Sequence, residues 1–151
     1  MIRRIVLDSA PLSGLCLPTR GTELTAIVNW SQACLEAGHS LYIPEIVDYE
    51  LCRELLRARK SENLTRLDGL KSPLIYVPLT TECMLRAAEL WAFARSSGIP
   101  TTDPKRLDVD VILAAQALTI PASHAEVVVA TSNVGHLSRF VPAFEWSRIS
   151  P

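Results

Sequence analysis

Short apolar runs alternate with longer stretches of helical periodicity along most of the chain. Ile5-Val6-Leu7 is wholly apolar and stops at Asp8, the pattern of a buried parallel strand with a charged group at its carboxyl end. Pro11, Gly14 and Pro18 predict a loop after it. Leu24, Ile27, Val28, Ala33 and Leu35 predict a helix from Thr22 to Ala37 that stops at Gly38. Leu41-Tyr42-Ile43 is a second strand, and Pro44 opens a helix whose Val47, Leu51 and Leu55 face the core while Glu50, Arg53, Glu54 and Arg57 form another stripe. A polar helix covers Glu62 to Lys71, and Pro73 introduces the strand Leu74-Ile75-Tyr76-Val77. Thr80 or Thr81 caps a helix running through Met84, Leu85, Ala88, Leu90, Trp91 and Ala94 to Gly98, and Pro100 to Pro104 form a turn-rich connector. Asp108 starts the next helix, in which Val111 to Leu118 are apolar almost all round and therefore buried. Val127 to Ala130 form a fourth strand, Val134 to Phe140 a short helix, and Phe144-Glu145-Trp146 a last edge strand.

Strands separated by one or two helices indicate an α/β sandwich on a mostly parallel sheet, formed by one domain over residues 1–151. In such sheets ligands gather at the carboxyl ends of the strands, above all where the strand order switches. With 48% hydrophobic residues the chain of 151 residues has material for a real core. Its four cysteines, Cys16, Cys34, Cys52 and Cys83, form no Cys-x-x-Cys pair and no zinc spacing, so they read as core thiols. No basic segment followed by an apolar run opens the chain, and no apolar stretch approaches the ~20 residues of a membrane span, so no membrane is expected as a partner and the cytoplasm is the expected location. A net charge of -1 excludes a generic polybasic binder, so nucleic-acid affinity has to come from a local patch or a metal.

Polar residues just after the strands carry the candidate chemistry. Asp8 ends the first strand, Glu50 sits early on the helix after the second, Asp110 lies in the first turn of the central helix beside Asp108, and Thr131-Ser132-Asn133 follows the fourth strand. If the strands are parallel, these segments converge. Carboxylates brought together repel unless a cation neutralises them, and a hard divalent ion accepts a few oxygen ligands from separate elements. Each residue also has a plainer role: Asp8 can close a turn, Glu50 can pair with Arg53 or Arg57 on a solvated face, Asp108 can cap its helix, Asp110 can complement the helix dipole, and Thr131 and Asn133 can form a turn. His136 has no partner histidine at metal spacing. The six glycines form neither a phosphate-cradling loop nor a Gly-x-Ser-x-Gly elbow.

The strand ending in Val6-Leu7-Asp8-Ser9, the segment from Ile43 to Leu51, the helix from Asp110 to Leu118 and the ending Val129-Ala130-Thr131-Ser132-Asn133 together resemble the PIN-domain family, closest to its VapC-type toxin branch. The ordered resemblance spans nearly the whole chain. It implies a three-layer α/β/α fold and a metal-dependent ribonuclease with one or two Mg2+ or Mn2+ ions held by Asp8, Glu50 and Asp110. The family's hydroxyl and final acidic position fall on Thr131 and Asn133, where an amide replaces the frequent fourth carboxylate. Glu45 is an alternative to Glu50, which fits better because of the Glu-Leu pair and its place inside the helix.

The resemblance implies hydrolysis of RNA phosphodiester bonds, with Ser9, Asp108, Thr131 and Asn133 acting behind the ligands or through waters. Arg53, Arg57, Arg59 and Lys60, or Lys105 and Arg106, are the candidates for phosphate contacts, a solvated charged face being the commoner role for any one of them. The rival expectation is a catalytically weak module that binds RNA or a protein partner, motivated by Asn133. An antitoxin that covers the acidic pocket is a further implied partner, and Trp30 and Trp91 are candidates for a homodimer surface.

Overall fold

The computed structural model describes residues 1–17, 22–98, 103–121 and 126–151. Five strands form one sheet: β1 (Arg3–Leu7), β2 (Ser40–Pro44), β3 (Ile75–Val77), β4 (Glu126–Ala130) and β5 (Ala143–Phe144), in the order β3-β2-β1-β4-β5. Every pairing is parallel, with Ile5 beside Leu41 on one side and Val128 on the other, and Leu7 beside Ala130. A strand in the middle of a parallel sheet is covered on both faces, which is why Ile5, Val6 and Leu7 are all apolar and all fully buried.

The helices are α1 (Ser9–Cys16), α2 (Thr22–Glu36), α3 (Glu45–Arg57), α4 (Ser61–Leu70), α5 (Thr81–Ser96), α6 (Pro104–Leu118) and α7 (Val134–Leu137). The connections from β1 to β2 to β3 carry α1 to α4, and the return to β4 and β5 carries α5 to α7, so the right-handed sense usual for parallel crossovers sets the two groups on opposite faces. This is the expected three-layer α/β/α sandwich. The strand order reverses between β1 and β4, so the crevice of an open parallel sheet falls at the carboxyl ends of these two strands.

Three local expectations are corrected. Pro11 and Gly14 do not make a loop but lie inside α1. Asp8 caps that helix by accepting from Ser9 N, and the first intrahelical donor is Leu12 N, which donates to Asp8 O at 3.1 Å. Pro11 therefore occupies a first-turn position whose N–H would have had no helical partner. Gly14 sits against α2, where a Cβ would meet Ile27 Cδ1 at 3.1 Å. The central helix begins at Pro104 rather than Asp108, capped by Asp103, whose side chain accepts from Lys105 N at 3.0 Å. Asp110 thus lies in the second turn. The last strand is Ala143–Phe144 rather than Phe144 to Trp146, and a 3-10 turn takes Trp146–Arg148. Pro18 and most of the Pro100–Pro104 connector lie outside the described residues.

The main core joins the strands to α1, α2, α3 and α6. A second, smaller cluster of Cys83, Ala87, Ala94, Leu107, Val111 and Ala115 seats α5 on α6, its small side chains letting the two helices approach. Gln116 is fully buried in α6 and stitches three elements together. Its Oε1 accepts from Ile46 N at 3.0 Å and its Nε2 donates to Val77 O at 2.7 Å. The start of α3, which carries Glu50, is thereby fixed relative to the helix that carries Asp110. Trp30 belongs to the core and not to an outer surface: it is 7% exposed, its Nε1 donates to Ile149 O at 2.8 Å, and its ring lies 5.6 Å from that of Trp146. Trp91 is exposed. Among the described residues no helix is long and apolar enough to cross a membrane.

Candidate functional site

At the carboxyl ends of β1 and β4, a cavity of about 310 Å³ is lined by Asp8, Ser9, Glu50, Leu51, Arg53, Glu54, Arg106, Val109, Asp110 and Asn133. Each acidic residue arrives by a different route. Asp8 is the residue after β1, and its backbone N donates to Ala130 O at 2.9 Å, which continues the ladder one step past the strand. Glu50 sits in the second turn of α3, and Asp110 projects from α6.

Asp8 is nine-tenths buried and held at both oxygens. Ser9 N donates to Oδ1 at 2.7 Å, and the Thr131 hydroxyl donates to Oδ2 at 2.6 Å. Thr131 is itself buried, and its Oγ1 also accepts from Asn133 N at 2.8 Å. One hydroxyl therefore ties the β4 turn to the Asp8 carboxylate while Asn133 reaches the cavity. Asp110 is 6% exposed, and its Oδ2 is buried with no hydrogen-bond partner among the described residues. Burial first, and then the Asp8 carboxylate, push Asp110 up to about 6, with Glu50 adding to the rise and Arg106 and Arg139 opposing it. His136 Nδ1 is 4.0 Å from Asp110 Oδ2.

The cavity brings together Asp8, Ser9, Glu50, Asp110, Asn133 and Arg53, with Thr131 directly behind Asp8. Five expected positions fall elsewhere: Arg59, Lys60 and Lys105 do not line the cavity, and neither do Asp108 and Arg57. Asp108 is exposed on α6 and lines a separate apolar groove with Met84, Ala87, Ala88, Trp91, Val111 and Ile112, because one helix cannot aim residues two apart at the same side. Arg57 does not line the cavity and is paired with Glu54 at 2.7 Å. Glu45 accepts from Leu79 N at 2.9 Å, tying α3 to the segment after β3. Sequence reasoning passed over His136 and Arg139 and gave Arg106 no special weight. Arg106 precedes Asp110 by four residues on one helix, and that spacing places both on one face.

The donors suit a hard divalent cation. All are oxygens, Asp110 offers a buried oxygen with no other partner, and magnesium keeps several waters and needs only one or two carboxylates. Among the described residues, no three His, Cys, Asp or Glu side chains stand close enough together to ligate one ion directly. The cysteines stand apart from the site: Cys16, Cys34 and Cys83 are buried and Cys52 is half-buried.

No protein-family profile and no curated protein matches the sequence. Solved structures do. A chain of VapBC2 from Rickettsia felis, bound to a DNA fragment from their promoter, superposes with a TM-score of 0.67 at 19% identity, covering 97% of this chain and 99% of that one. A chain of DNA-bound VapBC from Salmonella typhimurium gives 0.65 at 20% identity over 96% and 99%. VapBC-1 from nontypeable Haemophilus influenzae gives 0.62 at 16% identity over 98% and 100%. At such identities the likeness is one of fold, and the fold is PIN-like over nearly the full length of both chains.

Proposed function

We propose that this chain is a metal-dependent endoribonuclease that hydrolyses RNA phosphodiester bonds, acting as the toxin of a toxin–antitoxin pair. The observation that carries the reading is Asp110: a buried carboxylate with an unpartnered oxygen, facing Asp8 and Glu50 in one cavity at the strand-order switch. Keeping such a group ionised costs folding free energy, which a bound cation would offset. The likeness to chains of VapBC complexes supports the antitoxin partner by analogy of fold.

Asp8, Asp110 and Glu50 would hold Mg2+ or Mn2+, not all three by direct contact, and the bound ion would supply activation of a water and stabilisation of charge developing on the phosphate. The protein's own groups do the positioning. Ser9 N and the Thr131 hydroxyl fix the Asp8 carboxylate in one orientation. The Asn133 amide lines the cavity wall, where it would orient a water without adding negative charge. Arg53 on α3 and Arg106 on α6 stand on the rim, where they would grip the phosphates flanking the bond to be cut. The test is incubation of single-stranded RNA with the purified chain in Mg2+ or Mn2+. Cleavage that stops with a chelator supports the proposal, and no cleavage under either ion rejects it.

A second reading is a catalytically weak module that binds RNA or a protein. The amide of Asn133 and the spacing of the carboxylates favour it. Manganese titration separates the two, because an ion-binding site gains about 2.7 kcal/mol of stability at a hundredfold excess over Kd and a dead site gains none.

A further inference from the structure

Just after the short α7, in the turn that follows it, Arg139 brings a second charged group with an unpartnered buried atom. Arg139 Nη2 is buried and has no hydrogen-bond partner among the described residues. The rest of the guanidinium is held: Nε donates to His136 O at 3.0 Å, and the group lies 5.4 Å from the centre of the Phe140 ring. His136 in turn places Nδ1 4.0 Å from Asp110 Oδ2. A half-buried arginine with one buried, unpartnered nitrogen and a buried carboxylate with one unpartnered oxygen are thus linked through His136. Asp8, Glu50 and Arg106 are the other charges that act on Asp110. Arg106 is exposed on the cavity wall, where salt and water screen it, whereas Arg139 is half-buried and held by His136 O, so its charge is screened less.

A guanidinium nitrogen buried without a hydrogen bond is costly unless an opposite charge lies near it. We propose that Arg139 is a resident counter-charge of the acidic cavity, offsetting part of the charge of Asp8, Glu50 and Asp110 before an ion binds and so holding down the affinity for a divalent cation. The inference rests on the ion site proposed above. It makes Arg139 a positioning residue that acts through Asp110 rather than a ligand, and it has a consequence opposite in sign to that of a structural strut. Removing the charge tightens ion binding, whereas removing a strut leaves it equal or weaker.

Calorimetric titration of the full chain with Mn2+ at about pH 8, well above the titration range of an ordinary or moderately raised carboxylate, tests this directly. Arg139→Met is expected to bind Mn2+ about tenfold more tightly than wild type, and Arg139→Lys within about twofold of it. Arg139→Gln, which keeps a polar group beside His136, replaces the Met variant if that one does not fold. Equal or weaker binding by the neutral variants, against measurable binding by wild type, overturns the counter-charge and leaves the ion site standing. No Mn2+ binding by the folded wild-type chain overturns both.

Discussion

The Thr131 hydroxyl donates to Asp8 Oδ2 across the junction of β1 and β4 at 2.6 Å, in a fully buried contact. The same oxygen accepts from Asn133 N at 2.8 Å, so one small side chain sets the orientation of a carboxylate and the course of the turn beside it. Thr131→Val keeps the shape and removes both bonds. It is expected to destabilise the fold by about 1 to 3 kcal/mol and to lower Mn2+ affinity about tenfold or more, while Thr131→Ser keeps both properties close to wild type. Denaturant unfolding and Mn2+ titration of the two variants check this, and a Val variant indistinguishable from Ser contradicts it.

Asp110 is the group whose charge the fold disfavours. Its folded-state value of about 6 lies above the 3.8 of an unperturbed aspartate, chiefly through burial and then through Asp8. The folded ion-free protein therefore holds this proton more tightly than the unfolded chain. The favourable contribution is complete below 3.8, fades as pH rises towards about 6 and is gone above it. The loss is on the order of 3 kcal/mol. Asp110→Asn removes it, so the variant is expected to melt several degrees higher than wild type at neutral pH without metal, with the gap closing in acid. Unfolding curves at acid and neutral pH measure the difference, and a gap that does not change with pH contradicts the assignment.

Gln116 joins α3 and β3 to α6 with both ends of its amide. Gln116→Leu leaves Ile46 N and Val77 O buried without that partner and is expected to cost about 2 to 4 kcal/mol. Because the bond to Ile46 sets where α3 starts, ion affinity is expected to fall as well. Stability lost with ion affinity unchanged would show that α3 keeps its place without the amide.

Burial pushes Cys16 and Cys34 up to about 11 and raises Cys83 as well. Only a minute fraction of any of the three is thiolate at neutral pH, and none is open to solvent. A thiol reagent is expected to modify half-buried Cys52 first and the other three only as the protein unfolds. Rapid modification of Cys16, Cys34 or Cys83 in the folded chain contradicts this packing.

The strands were legible because the carboxyl-terminal parts of β1 and β4, Ile5 to Leu7 and Val127 to Ala130, are unbroken apolar runs that stop at Asp8 and Thr131. Their order was not, since periodicity says nothing of which strand pairs with which. Helix α1 was hidden by Pro11 and Gly14, residues that punctuate loops elsewhere but here serve a first turn and a close approach to Ile27. Asp108 and Asp110 look equivalent on the page, yet a helix turns them to different sides, one to a groove beside Trp91 and the other to the acidic cavity. Asp48 was equally opaque. It is buried in the first turn of α3, takes the Tyr76 hydroxyl at 2.8 Å and Lys71 Nζ at 3.1 Å, and no pattern distinguishes it from Glu50 two residues on. Arg139 was missed because its meaning depends on what lies across the fold from it.

The most direct measurement is RNA cleavage in Mn2+ by wild type, Asp8→Asn and Asp110→Asn, each first shown to be folded. Cleavage by wild type with a loss of about a hundredfold or more in both variants is the expected result. Equal cleavage by all three proteins would place the chemistry outside this cavity.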